Sequence, residues 1–454
     1  MRRQTHPGAD AIASLTQGIV MSISVTLLKL VTFVNKRCLA PAGLAALIML
    51  GVSPVAEAEI AEGTVLSAAN LDSLLTDTFE GKPLKDLLTP VQQQLIRDYG
   101  ITMKLAHAKP IEIDPALKAA TEKHSGSVTI DPQTLDVEGF VTGVPFPDIR
   151  EEDPLAGVKL VYNFMYTPWM GDVGKFDPMV LLSIDAKSGL QKELHATVSK
   201  MLLKGRLSEP HELSDDLRQA SMMIITYPTD AKGVGILSMM KDDGALPDSY
   251  GYIKAVRRVR RLSGGAWKDP LGGTDLLGDE QTGLNADPRW YKDIKVIGKR
   301  WILAVAHSTN PGMDESAKDP DKHYGVKLST APYWDFDDTY EPRQVWVVEM
   351  TMPDDHLASK KTYYFEAENA YMSLPYVFEA YDRRGQLWRT MDQGLYTYRT
   401  NTTNRLVYAP SPVRVIDLQR NHATVAPSSR GHYTADYPAS PADYTPGALS
   451  RLLQ

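Results

Sequence analysis

The sequence predicts a mainly β domain of the α+β class, an antiparallel meander that either closes as a barrel or stays an open sheet. Runs of β-branched, aromatic and Met residues of strand length are separated by turn clusters rich in Gly, Pro, Asp and Ser. These runs follow one another through short turns, which implies pairing between neighbours in sequence and argues against a βαβ fold. Helical spacing is concentrated before residue 107.

Taken in order, the N-terminus reads as an export signal. Lys29, Lys36 and Arg37 precede an apolar stretch over residues 39–52, and Ala56-Glu57-Ala58 has the small-x-small form of a signal-peptidase site. Residues 1–58 are therefore expected to be a cleaved signal peptide, with Met21 a better start than Met1 because residues 1–20 lack secretory character. The apolar run contains Pro41, Gly43 and Gly51 and falls short of the ~20 residues that span a bilayer. The single cysteine, Cys38, follows Lys36 and Arg37 rather than a lipidation motif, so the mature chain has no thiol. Disulfides, thiolate metal sites, a Cys nucleophile and a lipoprotein anchor are excluded together.

The 454-residue chain carries a net charge of −7. Cleavage removes five of the 49 basic side chains and two of the 56 acidic ones, which moves the net charge to −10. A nucleic-acid binder shows the opposite balance.

Residues 59–424 are expected to form one large domain. Leu84, Leu87, Leu88, Val91, Leu95 and Ile96 recur at helical spacing, with a break and restart at Thr89-Pro90. Residues 108–147 are turn-rich and end in GVPFP, and Asp153-Pro154 opens a short helix or turn leading into residues 158–166. Residues 180–184, 190–198 and 199–207 read as strands with turns at Lys187-Ser188-Gly189 and Lys204-Gly205, followed by a short helix over residues 211–220.

The stretch 221–275 organises the sheet as three strands. Residues 222–227 are apolar at nearly every position, which suits a strand covered on both faces or set against a greasy cavity. Met222, Met223, Met239 and Met240 supply pliable apolar surface, either ordinary core or the lining of a pocket. The candidate lining is Met222, Ile224, Tyr227, Leu237, Met239, Tyr252 and Val256. Arg257, Arg258, Arg260 and Arg261 crowd the third strand, so either a bulge resets the register or arginines leave both faces. They are a solvated edge that blocks aggregation, or a cationic rim for anionic headgroups or an acidic partner.

Beyond this strand, residues 264–283 read as loop, with Gly272-Gly273 a weak candidate for ligand contact. A strand pair is expected over residues 290–306, then strands over 343–351 and 361–367, and a hairpin over 377–390 turning at residues 382–385. Residues 425–454, rich in Tyr, Pro, Ala, Ser and Gly, read as a flexible tail.

The run from the Met-rich strands through YIKAVRRVRRLSGG to GGTDLLGDE, with GVPFP upstream and VWVVE and YDRRGQLWR downstream, resembles the family catalogued as domain of unknown function 1329. It is also similar to LolA-like periplasmic carriers of lipids and lipoproteins. LLGDEQTG and the turn at residues 356–361 depart from that pattern. The resemblance implies an open antiparallel half-barrel with helices in or against its concave face. It further implies a periplasmic carrier, soluble or peripheral to the outer membrane, that binds a lipid or other hydrophobic molecule without catalysis or cofactor. Possible partners under the resemblance are an efflux-type inner-membrane transporter and an outer-membrane protein.

No nucleophile elbow, HExxH pair, EF-hand or Walker motif occurs, and histidines such as His107, His124, His195, His307 and His356 are scattered singly. Asp335, Asp337 and Asp338 read as a solvated acidic turn rather than a calcium loop. The alternatives to a carrier are an envelope hydrolase with an unrecognised carboxylate or Ser/His site, and an interaction module whose sheet interior is filled.

Overall fold

Sixteen strands of the described residues join one sheet. The structure is a computed structural model that describes residues 58–254, 257–428 and 430–454. Residues 1–57 of the expected signal peptide, and Val256 of the candidate lining, lie outside the described residues.

Two short strands, β1 (Val65–Leu66) and β2 (Met103–Leu105), precede a first meander. It comprises β3 (Val173–Asp185), β4 (Gly189–Leu202), β5 (Leu217–Tyr227), β6 (Gly235–Lys241), β7 (Asp248–Ile253) and β8 (Arg258–Arg261). A second meander comprises β9 (Asp293–Ala304), β10 (Thr339–Thr351), β11 (Ala358–Glu366), β12 (Pro375–Asp382), β13 (Leu387–Arg399), β14 (Leu406–Asp417) and β15 (His422–Ala426). Within each meander every strand pairs antiparallel with the next. The meanders are joined where β15 returns to β3, with Ala423 opposite Ile184 and Val425 opposite Leu182. A last strand, β16 (Tyr433–Ala435), also pairs with β3. Among the described residues β1, β8 and β9 each pair on one side only, so the sheet is open.

Three sequence expectations change in detail. Residues 189–202 form one strand, because no turn residue interrupts the chain at Val198-Ser199 and pairing with β5 continues through Leu202. No helix forms at 211–220; the chain bends and enters β5 at Leu217. The expected strand pair over 290–306 is the single strand β9, which absorbs Gly298 as a register shift against β10.

Alternation decides what each face of β3 meets. Val180, Leu182 and Ile184 pack against the N-terminal region, where helix α1 (Pro90–Asp98) buries Val91, Leu95 and Ile96. That helix starts as its sequence dictates: Pro90 takes the first position, and Thr89 and Gln92 exchange side-chain-to-backbone hydrogen bonds of 3.0 Å. Helix α2 (Ala156–Tyr166) is apolar nearly all round and sits between β9 and the loop over residues 264–290. Its Gly157 lies on Ile294, whose Cγ2 would stand 2.9 Å from an added Cβ.

Residues 430–454 are not the flexible tail that their composition suggests. Beyond β16, helix α3 (Pro446–Leu453) is capped by Thr445, whose Oγ1 accepts from the Ala448 amide. It buries Leu449 against β5–β7, so close that a Cβ on Gly235 would lie 2.8 Å from Leu449 Cδ1. Among the described residues no helix is long and apolar enough to cross a membrane.

Candidate functional site

The face of the sheet opposite α1 and α3 carries an apolar cavity of about 940 Å3, counting its open mouth. Its floor alternates along three adjacent strands: Phe176, Met179 and Leu181 from β3, Leu194 and Val198 from β4, and Met223 and Ile225 from β5. Val413 and Ala426 close one side from β14 and β15. The roof is the loop running from Leu271 to Gly283, where Gly272, Thr274, Leu276 and Gln281 complete the wall.

Acid–base pairs that water does not reach hold the roof down. Lys361 on β11 reaches Asp279 and Glu280 at 2.6 Å each, with all three side chains fully buried. Arg389 on β13 donates to both carboxylate oxygens of Glu280 at 2.8 and 2.6 Å. His356 stands 3.5 Å from Asp279. Burial alone would push the Asp279 carboxyl up, but the Lys361 charge, helped by His356, outweighs it and holds it at about 2.

Asp275, in the same loop, accepts from Thr424 Oγ1 at 2.8 Å and lies 2.7 Å from His422 Nδ1. His422 Nε2 is in turn 3.0 Å from Ser183 Oγ. The chain Ser183–His422–Asp275 has the order of a hydrolytic relay. Ser183, however, sits inside β3 with partners on both sides, Lys192 and Thr424. Its strand therefore offers no free amide pair to stabilise an oxyanion, the term on which acyl transfer depends most. What the relay does in this geometry is fix the roof to β15.

The family model described as a protein of unknown function, DUF1329, matches residues 65–450. The chain belongs to the DUF1329 family. An uncharacterised protein of Pseudomonas aeruginosa is 24% identical over 382 residues, which covers 80% of this chain and 78% of the relative. Among solved structures, a DUF1329 family protein from Desulfovibrio piger is 16% identical, covers 65% of this chain and 99% of its own, and superposes with a TM-score of 0.42. A LolA superfamily protein from Nitrosomonas europaea is 14% identical, with 60% and 90% coverage and a TM-score of 0.34.

In this DUF1329 chain the candidate lining divides by strand parity, and most of it falls on the wrong face. Met222 and Leu237 are buried, with Ile224 and Met239 beside them, but on the side covered by Tyr444 and Leu449. Tyr252 shares that cluster, and Tyr227 is 46% exposed at the end of β5. The cavity takes the alternate residues, Met223 and Ile225. The signal in the sequence is Ser221, which continues the cavity parity of β5 with a polar, half-buried side chain.

The arginines occupy the free edge. The expected third strand is split into β7 and β8, with Arg257 at φ +46° between them. Arg258 and Arg260 lie opposite Ile253 and Gly251 on one face, and Val259 and Arg261 on the other. All four arginines are exposed, and Arg261 pairs with Asp248. Of the acidic turn expected to be solvated, Asp337 is exposed, but Asp335 and Asp338 are buried: Asp335 pairs with Lys327 and Arg414 at 3.0 and 3.2 Å, and Asp338 accepts from Ser308 and the Thr309 amide at 2.6 Å.

Proposed function

We propose that this protein is a non-enzymatic carrier of the bacterial periplasm that shelters the apolar part of a lipid or similar molecule between β3–β5 and the loop over residues 271–283. The observation that carries this reading is the cavity, whose floor is built from seven apolar side chains of three consecutive strands. Burying a chain of ~12 methylenes there contributes on the order of 10 kcal/mol at ~0.8 per group, before the costs of association. Carriage needs no more than that. The exposed arginines of β8 are the contact for an acidic partner in the envelope, in which role an efflux-type transporter and an outer-membrane protein both fit.

The experiment is mass spectrometry of organic extracts from mature protein purified from the periplasm without detergent, against a mock preparation and against Ile225→Glu. A stoichiometric lipid or apolar metabolite that the variant lacks is the expected result. An empty wild-type extract together with no binding of added lipid would overturn the carrier. Changing Arg258 and Arg260 to Ala is expected to leave cargo content unchanged and to weaken partner capture.

A further inference from the structure

Buried cations in this fold are matched by carboxylates. Arg343 meets Glu366 at 2.9 Å, Arg414 meets Asp392 at 2.7 Å, and Lys361 meets Asp279 at 2.6 Å. Arg218 on β5 breaks the pattern. It is 2% exposed, its Nε and Nη1 have no hydrogen-bond partner, and its guanidinium stands 5.5 Å from the ring centroid of Tyr166 in the last turn of α2. The Asp242 carboxylate feels its charge without taking a hydrogen bond from it, so the guanidinium keeps two buried N–H groups that another acceptor would satisfy.

A second cation lies nearby. Beyond Phe176 and Val198 the cavity continues into a space lined by Thr167, Trp169, Thr282 and Lys200, with Phe176, Val198 and Thr282 common to both parts. Lys204, one turn of sequence further on, is paired with Glu212 and Asp242 at 3.2 and 3.0 Å. Among the described residues Lys200 has no carboxylate within 4.0 Å, and its neighbourhood explains why none is free. Asp242 is already held by the Tyr166 hydroxyl at 2.6 Å and by Lys204. Burial first, and then the Arg218 charge, lower the Lys200 ammonium to about 7.

We propose that this end of the cavity receives the anionic head of the cargo, a carboxylate or phosphate matched by Lys200 with the Arg218 charge close behind it, while the chain lies back along Val198, Met223 and Ile225. The inference rests on the carrier reading and narrows its cargo to acidic amphiphiles inserted head first. It also moves the headgroup away from the arginine edge, where a head would remain in water.

The test is calorimetric titration of the full mature chain with dodecanoate, dodecyl phosphate and dodecan-1-ol, for wild type, Lys200→Met, and Arg258→Ala with Arg260→Ala. An acid is expected to bind about tenfold or more tighter than the alcohol, the scale of one charge-assisted hydrogen bond. That preference should vanish in Lys200→Met and persist in the double-alanine variant. Whichever acid binds tighter names the head. Equal binding of acids and alcohol by wild type, or a preference that survives Lys200→Met, overturns the head site and leaves the carrier standing. Loss of preference in the double-alanine variant alone would place the head at the edge. If none of the three binds, the carrier reading falls and the head site falls with it.

Discussion

Arg389 grips Glu280 through two hydrogen bonds of 2.8 and 2.6 Å, with both side chains at or below 1% exposure. The pair ties the middle of the second meander to the roof of a cavity floored by the first. Removing the arginine leaves Glu280 with Lys361 as its cationic partner and the Leu277 amide as a second donor. Arg389→Met is therefore expected to destabilise the protein by about 3–5 kcal/mol in urea unfolding, and a loss below about 1 kcal/mol would show that the loop is not anchored there.

Acid should release the same roof late. The Asp279 carboxyl titrates at about 2 in the folded protein against 3.8 for the free side chain. Because the folded value is the lower one, its contribution is present above about pH 4 and is lost as the pH falls towards 2. The stability difference between wild type and Asp279→Asn should be full at about pH 5 and shrink towards zero near pH 2.

Lys200 runs the other way. Its folded value of about 7 lies below the 10.5 of a free lysine, so between those values the unfolded chain binds more protons and stability rises with pH. Below about pH 7 the penalty is fully present. Lipid-free Lys200→Met should melt at a higher temperature than wild type at about pH 6, with the gap closing as the pH is raised towards 10. Equal melting temperatures across that range would mean that the ammonium is solvated.

Leu449 is fully buried in the C-terminal helix. Truncation to Ala is expected to cost about 2–5 kcal/mol, read from urea unfolding. No change would return the segment to the status of a tail.

Ser183, hydrogen-bonded to His422 at 3.0 Å, is the residue through which a hydrolase reading would act. Purified protein is expected to cleave 4-nitrophenyl esters no faster than Ser183→Ala does. A serine-dependent burst would make the relay catalytic and displace the carrier.

Local information was legible in the sequence, and long-range closure was not. The turn at residues 382–385, the restart at Thr89-Pro90 and the Met-rich strands all rest on near neighbours, and each stands in the structure. Assigning faces needed knowledge of what covers them. A reading of residues 425–454 as tail leaves nothing to bury Met222, Ile224 and Leu237 and sends them to a pocket; Tyr444 and Leu449 cover them instead. The roof was equally hidden. Asp279 and Glu280 look like surface acids in a glycine-rich loop until Lys361 and Arg389, 82 and 109 residues downstream, are brought to them.

The first long strand, β3, is flanked by β4 and by residues from the far end of the chain, Leu182 facing Val425 and Phe176 facing Tyr433. Its ladder stays half-made until some 240 further residues have appeared. Pairings of that sequence separation are slow to form, and here they cannot form on a partial chain at all. A polypeptide threaded through a membrane pore from its N-terminus would thus remain pliable until its last turn of helix emerged, with its cavity assembled only on the far side.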